Sequence, residues 1–241
     1  MAKNNGIPFY KMTGGGNDFV IFDNRKGILP DDYAGLAKKL CDRKFAIGAD
    51  GLLAVEKCAD ADFRMIYYNS DGSRAAMCGN GARCIARFAN LLKAAPSKMT
   101  FQTDAGLISA EVKNKTVIIG MSTPQDMRLD FPIKMEEDRE LNLSFVNTGV
   151  PHAVLTVTDI EKTEVQELGR AIRYHKEFAP AGTNVNFVQV KDNHTLIVRT
   201  YERGVEGETL ACGTGVTASS LIFAAKKMVE SPVSCITRGG E

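Results

Sequence analysis

The chain has 241 residues and a mass of 26.2 kDa, enough for one large domain or two small ones with a real hydrophobic core. Its 30 lysines and arginines balance 29 acidic residues, which excludes the basic excess of proteins that bind nucleic acids or membrane surfaces. Its composition is that of a soluble chain, and it lacks both an apolar signal peptide and a membrane-length apolar run, so we expect a cytoplasmic protein.

The first half of the sequence alternates strand patterns with helical ones. In chain order these are strands at 9–13 and 18–23 around a glycine turn, a helix at 31–41, a strand at 62–68, a helix at 82–93 and strand-like residues 107–122. We predict that the run TGGGN at 13–17 forms a tight turn between strands rather than a phosphate-binding loop.

The second half repeats this order. Its predicted elements are strands at 143–147 and 153–158, a helix at 161–174, a strand at 195–201 and a helix at 216–228. Residues 216–225 are uncharged, which is typical of a helix that a sheet surrounds on most sides.

A long-period repeat relates the two halves. The matching pairs lie 133 or 134 residues apart and are Gly16 with Gly149, Phe45 with Phe178, Asn69 with Glu202, Cys78 with Cys212 and Thr103 with Thr237. We predict two pseudo-symmetric domains, 1–123 and 124–241, joined near 124–140. Strands outnumber helices, which indicates an α+β fold with mixed or antiparallel sheets. By this symmetry the counterpart of 107–122 is expected after residue 241.

The six cysteines show neither a CxxC pair nor an export signal, so we expect reduced thiols, and three histidines give little support for a zinc site. Two of the thiols, Cys78 and Cys212, each precede a Gly-x-Gly at the start of a predicted helix. Free N–H groups in a first helical turn lower a thiol pKa and can bind a carboxylate. Two thiols on opposite sides of one carbon could invert a stereocentre, one removing the α-proton and the other supplying one.

Motifs for cofactors are missing from the sequence. It has no P-loop, and Gly79 and Gly81 lack the third glycine of a dinucleotide fingerprint. We therefore expect an enzyme without a cofactor, in which the two helix N-termini stabilise the developing negative charge.

Six blocks spread over nearly the whole chain resemble the diaminopimelate epimerase family. They are GGGNDF at 14–19, YNSDGS at 68–73, MCGNGARC at 77–84, GVPHAV at 149–154, NVNF at 184–187 and ERGVEGETLACGTG at 202–215. The resemblance implies a cofactor-independent two-base epimerase that interconverts LL- and meso-diaminopimelate for lysine and peptidoglycan synthesis. It also implies two domains, each a sheet rolled around a central helix, and a homodimer.

The resemblance assigns roles residue by residue. Cys78 and Cys212 would be the acid/base pair, and His152 would neighbour the first thiol. The substrate-binding residues would be Asn17, Asn69, Gly79, Asn80, Asn184, Glu202, Arg203, Gly213 and Thr214. Among these, the backbone N–H groups after each cysteine would hold the reacting carboxylate, Glu202 would contact the reacting ammonium, and Arg203 with the asparagines would bind the far end of the substrate.

Three positions depart from the common family pattern. Val150 stands where asparagine is frequent, Gly51 where some members have glutamine, and ERGVEGET holds one residue more than the usual ERGxGET. We expect these changes to affect substrate stringency and to leave the cysteine pair unaffected.

The same residues are also compatible with other roles and other functions. Asn17 and Asn69 could cap turns, Arg203 could form a surface ion pair, and His152 could be structural. The protein could be a racemase of another amino acid, such as histidine, a thiol-redox sensor, or an amino-acid-binding protein without catalysis.

Overall fold

The computed structural model describes residues 6–121, 123–135 and 139–240, and the chain divides into two compact units, Met1–Met121 and Ser122–Glu241. Each unit is built on one mixed seven-stranded sheet. None of the helices in these described ranges is long and apolar enough to span a membrane.

The first unit forms a sheet in which the strands follow one another in sequence order. Its elements are β1 (Tyr10–Gly14), β2 (Asn17–Asp23), α1 (Tyr33–Cys41), β3 (Gly51–Glu56), β4 (Phe63–Asn69), α2 (Gly79–Leu91), β5 (Lys98–Thr103), β6 (Gly106–Lys113) and β7 (Thr116–Ile119). The pairs β2–β3 and β4–β5 are parallel, and α1 and α2 make the crossovers that parallel pairs require. The other neighbours are antiparallel.

The second unit repeats the first part of this connectivity, from β1 to β5, and adds two strands. Its elements are β8 (Gln125–Lys134), β9 (Glu140–Asn147), β10 (Pro151–Thr156), α3 (Val165–Arg173), a short 3₁₀ helix (Lys176–Phe178), β11 (Asn184–Asp192), β12 (Thr195–Glu202), β13 (Gly207–Thr209), α4 (Gly213–Ala225) and β14 (Ser234–Ile236). The added strands are β8 and β13. The sheet order is β13-β12-β11-β10-β9-β8, with β14 beside β12. The pairs β10–β11 and β12–β14 are parallel, as β2–β3 and β4–β5 are in the first unit.

One helix lies at the centre of each unit. In the first unit Phe19, Phe63 and Phe101 from three strands pack with Ile85 and Phe88 of α2, and all five are fully buried. Residues from both edge strands, β1 and β7, also reach this cluster, so the sheet curls around α2. Intervening strand residues face the opposite side and pack on α1. The second unit places α4 and α3 on opposite faces in the same way. The predicted α+β fold is thereby confirmed.

Several boundaries differ from the predicted ones. Helices α2 and α4 begin at Gly79 and Gly213, three residues earlier than predicted, so that the Gly-x-Gly of each motif forms the first helical turn. Helix α3 begins only at Val165. The stretch 124–140, where we expected the join, contains β8, an edge strand, and an edge position tolerates its Pro132.

The sequence did not predict β3, β5, β8, β11, β13 and β14, and of these β3 and β11 are buried along most of their length. A strand covered on both faces lacks the polar–apolar alternation that reveals a strand in a sequence. The strand-like residues 107–122 form the hairpin β6–β7, and Ser122 lies outside the described residues. The TGGGN run is a tight turn, as predicted, with positive φ at Gly15 and Gly16.

Candidate active site

Both motif cysteines are N-cap residues of the central helices. Cys78 caps α2 with an extended backbone (φ −139°, ψ 124°), and Cys212 caps α4 with nearly the same geometry (φ −123°, ψ 108°). The backbone N–H of Gly81 donates to Cys78 Sγ at 3.5 Å. Each thiol therefore lies at the positive end of a helix whose first N–H groups have no partner within the helix.

Asn17 and Asn80 lie together in the first unit. The Asn80 side chain, only 3% exposed, donates from Nδ2 to Asn17 Oδ1 at 2.8 Å and to the Gly15 carbonyl at 3.1 Å. Asn17 in turn donates from Nδ2 to Asp50 Oδ2 at 3.0 Å. Because both Asn80 amide hydrogens are used within the protein, what this residue offers a ligand as a donor is its backbone N–H beside the cysteine.

Asn69 is the last residue of β4 and pairs with Gly51 across the β3–β4 ladder. Its Oδ1 accepts a hydrogen bond from the Tyr67 hydroxyl at 2.6 Å, and its Nδ2 donates to Ser73 Oγ at 3.0 Å. A Cβ on Gly51 would lie 2.8 Å from Tyr67 Cε2. The Tyr68 carbonyl oxygen would be as close, at 2.7 Å, so a Cβ at position 51 would collide with both residues.

Tyr67, which hydrogen-bonds to the predicted site residue Asn69, was not identified from the sequence. A signal was present, since Tyr67 and Asn69 are two apart in a strand and so share the face that packs toward α2. Asn69 also begins a turn, in which the Gly72 N–H donates to the Asn69 carbonyl at 2.9 Å.

Cys212 is surrounded by polar side chains of its own unit. Its Sγ lies 3.4 Å from Thr214 Oγ1 and also contacts the carboxylate of Glu202, which accepts a hydrogen bond from Thr209 at 2.7 Å. Burial, and next the negative charge of Glu202, raise the pKa of the Cys212 thiol to about 12. Burial also raises the pKa of Glu202.

This result corrects the expectation that the helix N-terminus would lower the pKa of this thiol. The Gly215 N–H does favour the thiolate, but loss of solvation outweighs it. Cys212 is therefore a protonated thiol at neutral pH.

Asn184 and Arg203 are joined through the backbone. The Arg203 N–H donates to Asn184 Oδ1 at 2.9 Å, while Asn184 Nδ2 donates to the Pro151 carbonyl at 3.0 Å. The extra residue of ERGVEGET is absorbed in the turn between β12 and β13, where Glu206 takes a positive φ of 58° and bonds back to the Glu202 carbonyl at 2.8 Å.

His152 is completely buried in β10. Its Nδ1 lies 3.0 Å from Nδ2 of Asn186, and its Nε2 has no hydrogen-bond partner among the described residues. Burial, assisted by the charge of Arg203, lowers the pKa of His152 to about 3, so the ring is neutral. Asn186 was also missed, although it follows Asn184 by two residues and so shares its face of β11.

The two units divide the predicted site between them. The first holds Cys78, Gly79, Asn80, Asn17 and Asn69, and the second holds Cys212, Gly213, Thr214, His152, Asn184, Glu202 and Arg203. Within the described parts of the chain, no three His, Cys, Asp or Glu side chains are grouped so that they could hold a metal ion.

Solved structures with a similar fold include several isomerases. A hydroxyproline epimerase from Agrobacterium vitis with bound trans-4-hydroxy-L-proline matches with a TM-score of 0.66 and 17% identity over 97% of this chain and 81% of that one. A probable proline racemase from Agrobacterium radiobacter matches with a TM-score of 0.64 and 15% identity over 96% and 82%. A PhzF-family phenazine biosynthesis protein from Enterococcus faecalis matches with a TM-score of 0.68 and 13% identity over 96% and 87%. The chain therefore has the fold that these epimerase, racemase and PhzF structures share.

The sequence comparisons define the family. The family model described as Diaminopimelate epimerase matches residues 9–126 and 144–241. Curated diaminopimelate epimerases from Aquifex aeolicus and Archaeoglobus fulgidus are 44% and 41% identical, covering 98% and 97% of this chain and 88% and 87% of theirs. The chain belongs to the diaminopimelate epimerase family, an isomerase family, and the resemblance predicted from its motifs is confirmed.

Proposed function

We propose that the protein interconverts LL- and meso-diaminopimelate without a cofactor, with Cys78 and Cys212 as the two acid/base groups. The observation that carries this proposal is the repeated position of the cysteines, each the N-cap of the central helix of its unit. Inversion of a carbon centre needs a proton acceptor on one side and a proton donor on the other, and each half of the chain supplies one. The names of the relatives support diaminopimelate rather than another amino acid as substrate.

The helix N-termini would hold the reacting carboxylate. The N–H groups of Gly79 and Asn80, and of Gly213 and Thr214, lie in first turns where helical partners are lacking. When the α-proton leaves, negative charge moves onto the carboxylate oxygens, and fixed N–H dipoles stabilise that charge without having to reorganise.

The protonation state of Cys212 suggests how the cycle begins. Because the pKa of this thiol is raised to about 12, Cys212 starts as the proton donor, and Cys78 as thiolate would remove the α-proton. Proton transfer reverses the roles of the two sulfurs, and the reverse reaction starts from that state. Glu202, in contact with Cys212, would also bind the reacting ammonium.

The far end of the substrate is a second amino-acid group. Arg203 can pair with its carboxylate through two parallel hydrogen bonds, and Asn17, Asn69 and Asn184 carry further amide groups for it. Asn184 accepts from the Arg203 backbone, so these two residues are held as a unit.

We also propose that the enzyme is a cytoplasmic homodimer that serves lysine and peptidoglycan precursor synthesis. The family resemblance supports the dimer and the pathway. The six cysteines of the chain are free thiols, which fits a reducing compartment.

Solvent hydrogen should enter the substrate during inversion. In heavy water with a reductant, LL-diaminopimelate should yield meso product that carries deuterium at one α-carbon, as read by NMR or mass spectrometry, because the incoming proton comes from a thiol that exchanges with solvent. Histidine and proline serve as comparison substrates and should show no exchange. Tight binding of diaminopimelate without deuterium uptake would contradict catalysis and favour a binding protein, and inertness under reductant would favour a redox sensor.

Removing the Tyr67 hydroxyl should weaken substrate binding. The Tyr67→Phe variant loses the hydrogen bond that orients Asn69, worth about 0.5–1.5 kcal/mol, so KM for diaminopimelate should rise roughly 3- to 10-fold while kcat changes little. Tyr10→Phe, an exposed tyrosine of β1, is the matched control and should leave KM unchanged. An unchanged KM in Tyr67→Phe would contradict the assigned role of Asn69.

A further inference from the structure

We propose that Asn186 holds His152 in one tautomer, with the ring proton on Nε2, so that His152 serves the reaction as a neutral hydrogen-bond donor and not as a base. Asn186 is then a positioning residue that acts through His152. The catalytic part of this inference rests on the proposed function, whereas the tautomer follows from the second unit alone.

The two side chains meet inside the sheet. His152 lies in β10 and Asn186 in the parallel neighbour β11, and both are 0% exposed. No solvent can therefore compete for their polar atoms, and the hydrogen bonds among them decide where each proton lies.

The orientation of the Asn186 amide is set by two neighbours. One of its terminal atoms lies 3.2 Å from the Ala153 carbonyl oxygen, which can only accept, so this atom is the nitrogen. The Thr200 hydroxyl donates to the other terminal atom, Oδ1, at 3.0 Å. A reversed amide would place two acceptor oxygens against each other in a buried site.

The second hydrogen on Asn186 Nδ2 then points to His152 Nδ1, 3.0 Å away. Nδ1 must accept this hydrogen bond and so carries no proton. A neutral imidazole with a bare Nδ1 has its proton on Nε2. Burial keeps the ring neutral, and Arg203, the charged group that acts on it, works in the same direction.

The Nε2 proton is the free end of this network. Among the described residues it has no acceptor, so the network leaves one buried donor unbonded, and in the proposed reaction this N–H would donate to a substrate oxygen or to a thiolate. Because Nδ1 accepts from Asn186 and Nε2 already carries a proton, the ring has no free lone pair for the α-proton, so it stabilises negative charge and leaves proton removal to the cysteines.

The tautomer can be measured directly in the full chain. In protein labelled with ¹⁵N-histidine, the His152 signals, assigned by their loss in His152→Asn, should show a bare Nδ1 and a protonated Nε2 from about pH 5 to pH 8. His175 is half-buried and His194 is exposed, and their signals serve as the internal reference in the same spectrum. A protonated Nδ1, or a ring that titrates in this range, overturns the proposal whether or not the enzyme turns over.

A near-isosteric variant tests the role of Asn186. In Asn186→Asp the carboxylate accepts from Nδ1–H, so the proton should move to Nδ1 or the ring should become charged. We expect kcat to fall at least about 10-fold, the acid limb of the pH profile to change, and KM to stay within about 3-fold. Asn193→Asp, an exposed change in the β11–β12 turn, is the control and should alter none of these.

The outcomes of this experiment separate the two proposals. Wild-type spectra and pH profile retained in Asn186→Asp would contradict the positioning role, as would a loss confined to KM. If the predicted tautomer is found in a chain that fails to epimerise diaminopimelate, the tautomer stands and the proposed function falls. If the variant does not fold, the wild-type spectrum alone still decides.

Discussion

Replacing either Cys78 or Cys212 by alanine is expected to lower the rate of epimerisation by at least about 1000-fold, because each variant lacks one of two proton-transfer groups that inversion needs. The fold should persist, since alanine is smaller and each cysteine is the cap rather than the interior of its helix. Rates are to be measured by conversion of LL- to meso-diaminopimelate in the presence of reductant.

Hydrogen exchange distinguishes loss of a base from loss of the whole site. A variant with one remaining thiol should still exchange the α-hydrogen of one isomer with heavy water, without inversion, and the two variants should prefer opposite isomers. Cys58→Ala, a change outside both motifs, is the control and should behave like the wild type. Retained epimerisation in either site variant would refute the two-base assignment.

The Gly215→Ala variant, which adds one methyl group, should destabilise the second unit. Its Cβ would lie 2.3 Å from Asn186 Oδ1, and the Asn186 side chain cannot move aside without breaking its buried bonds to Thr200, Ala153 and His152. We expect Gly215→Ala to lower the free energy of unfolding by about 1–3 kcal/mol through overpacking, with a further loss from disturbed hydrogen bonds.

The equivalent glycine in the first unit provides the comparison. A Cβ on Gly81 would lie 3.4 Å from Phe19 Cζ, an ordinary contact, and alanine is a better helix former by about 1 kcal/mol. Gly81→Ala should therefore unfold in urea within about 1 kcal/mol of the wild type. Equal destabilisation by the two variants would show that loss of glycine, rather than the position of Asn186, determines the effect.

The three departures from the family pattern have different structural consequences. At Gly51 a Cβ would collide with the Tyr68 carbonyl oxygen and with the ring of Tyr67, whose hydroxyl donates to Asn69. The additional residue before Gly207 is accommodated by a turn with Glu206 at positive φ. Nothing in the structure explains Val150.

Much of the architecture could be predicted from the sequence alone. The repeat at 133 or 134 residues predicted two halves of one connectivity, and Gly-x-Gly after Cys78 and Cys212 predicted both helix starts to within three residues. These features are local or periodic, so that spacing alone can reveal them. The family, too, was identified from short blocks that are contiguous in the chain.

Only the tertiary structure revealed what surrounds these residues. His152 bonds to Asn186 of the adjacent strand, and Asn69 bonds to Tyr67, two residues earlier in its own strand. Such contacts can be predicted only when it is known which face of the sheet is covered. The pKa of Cys212 reverses the sequence-based expectation, because burial depends on residues far away in the chain, whereas the helix dipole acts locally. The sequence by itself determined the repeat, the motif positions and the family. Desolvation and long-range hydrogen bonding decided the protonation states and the partners, and neither can be read from spacing.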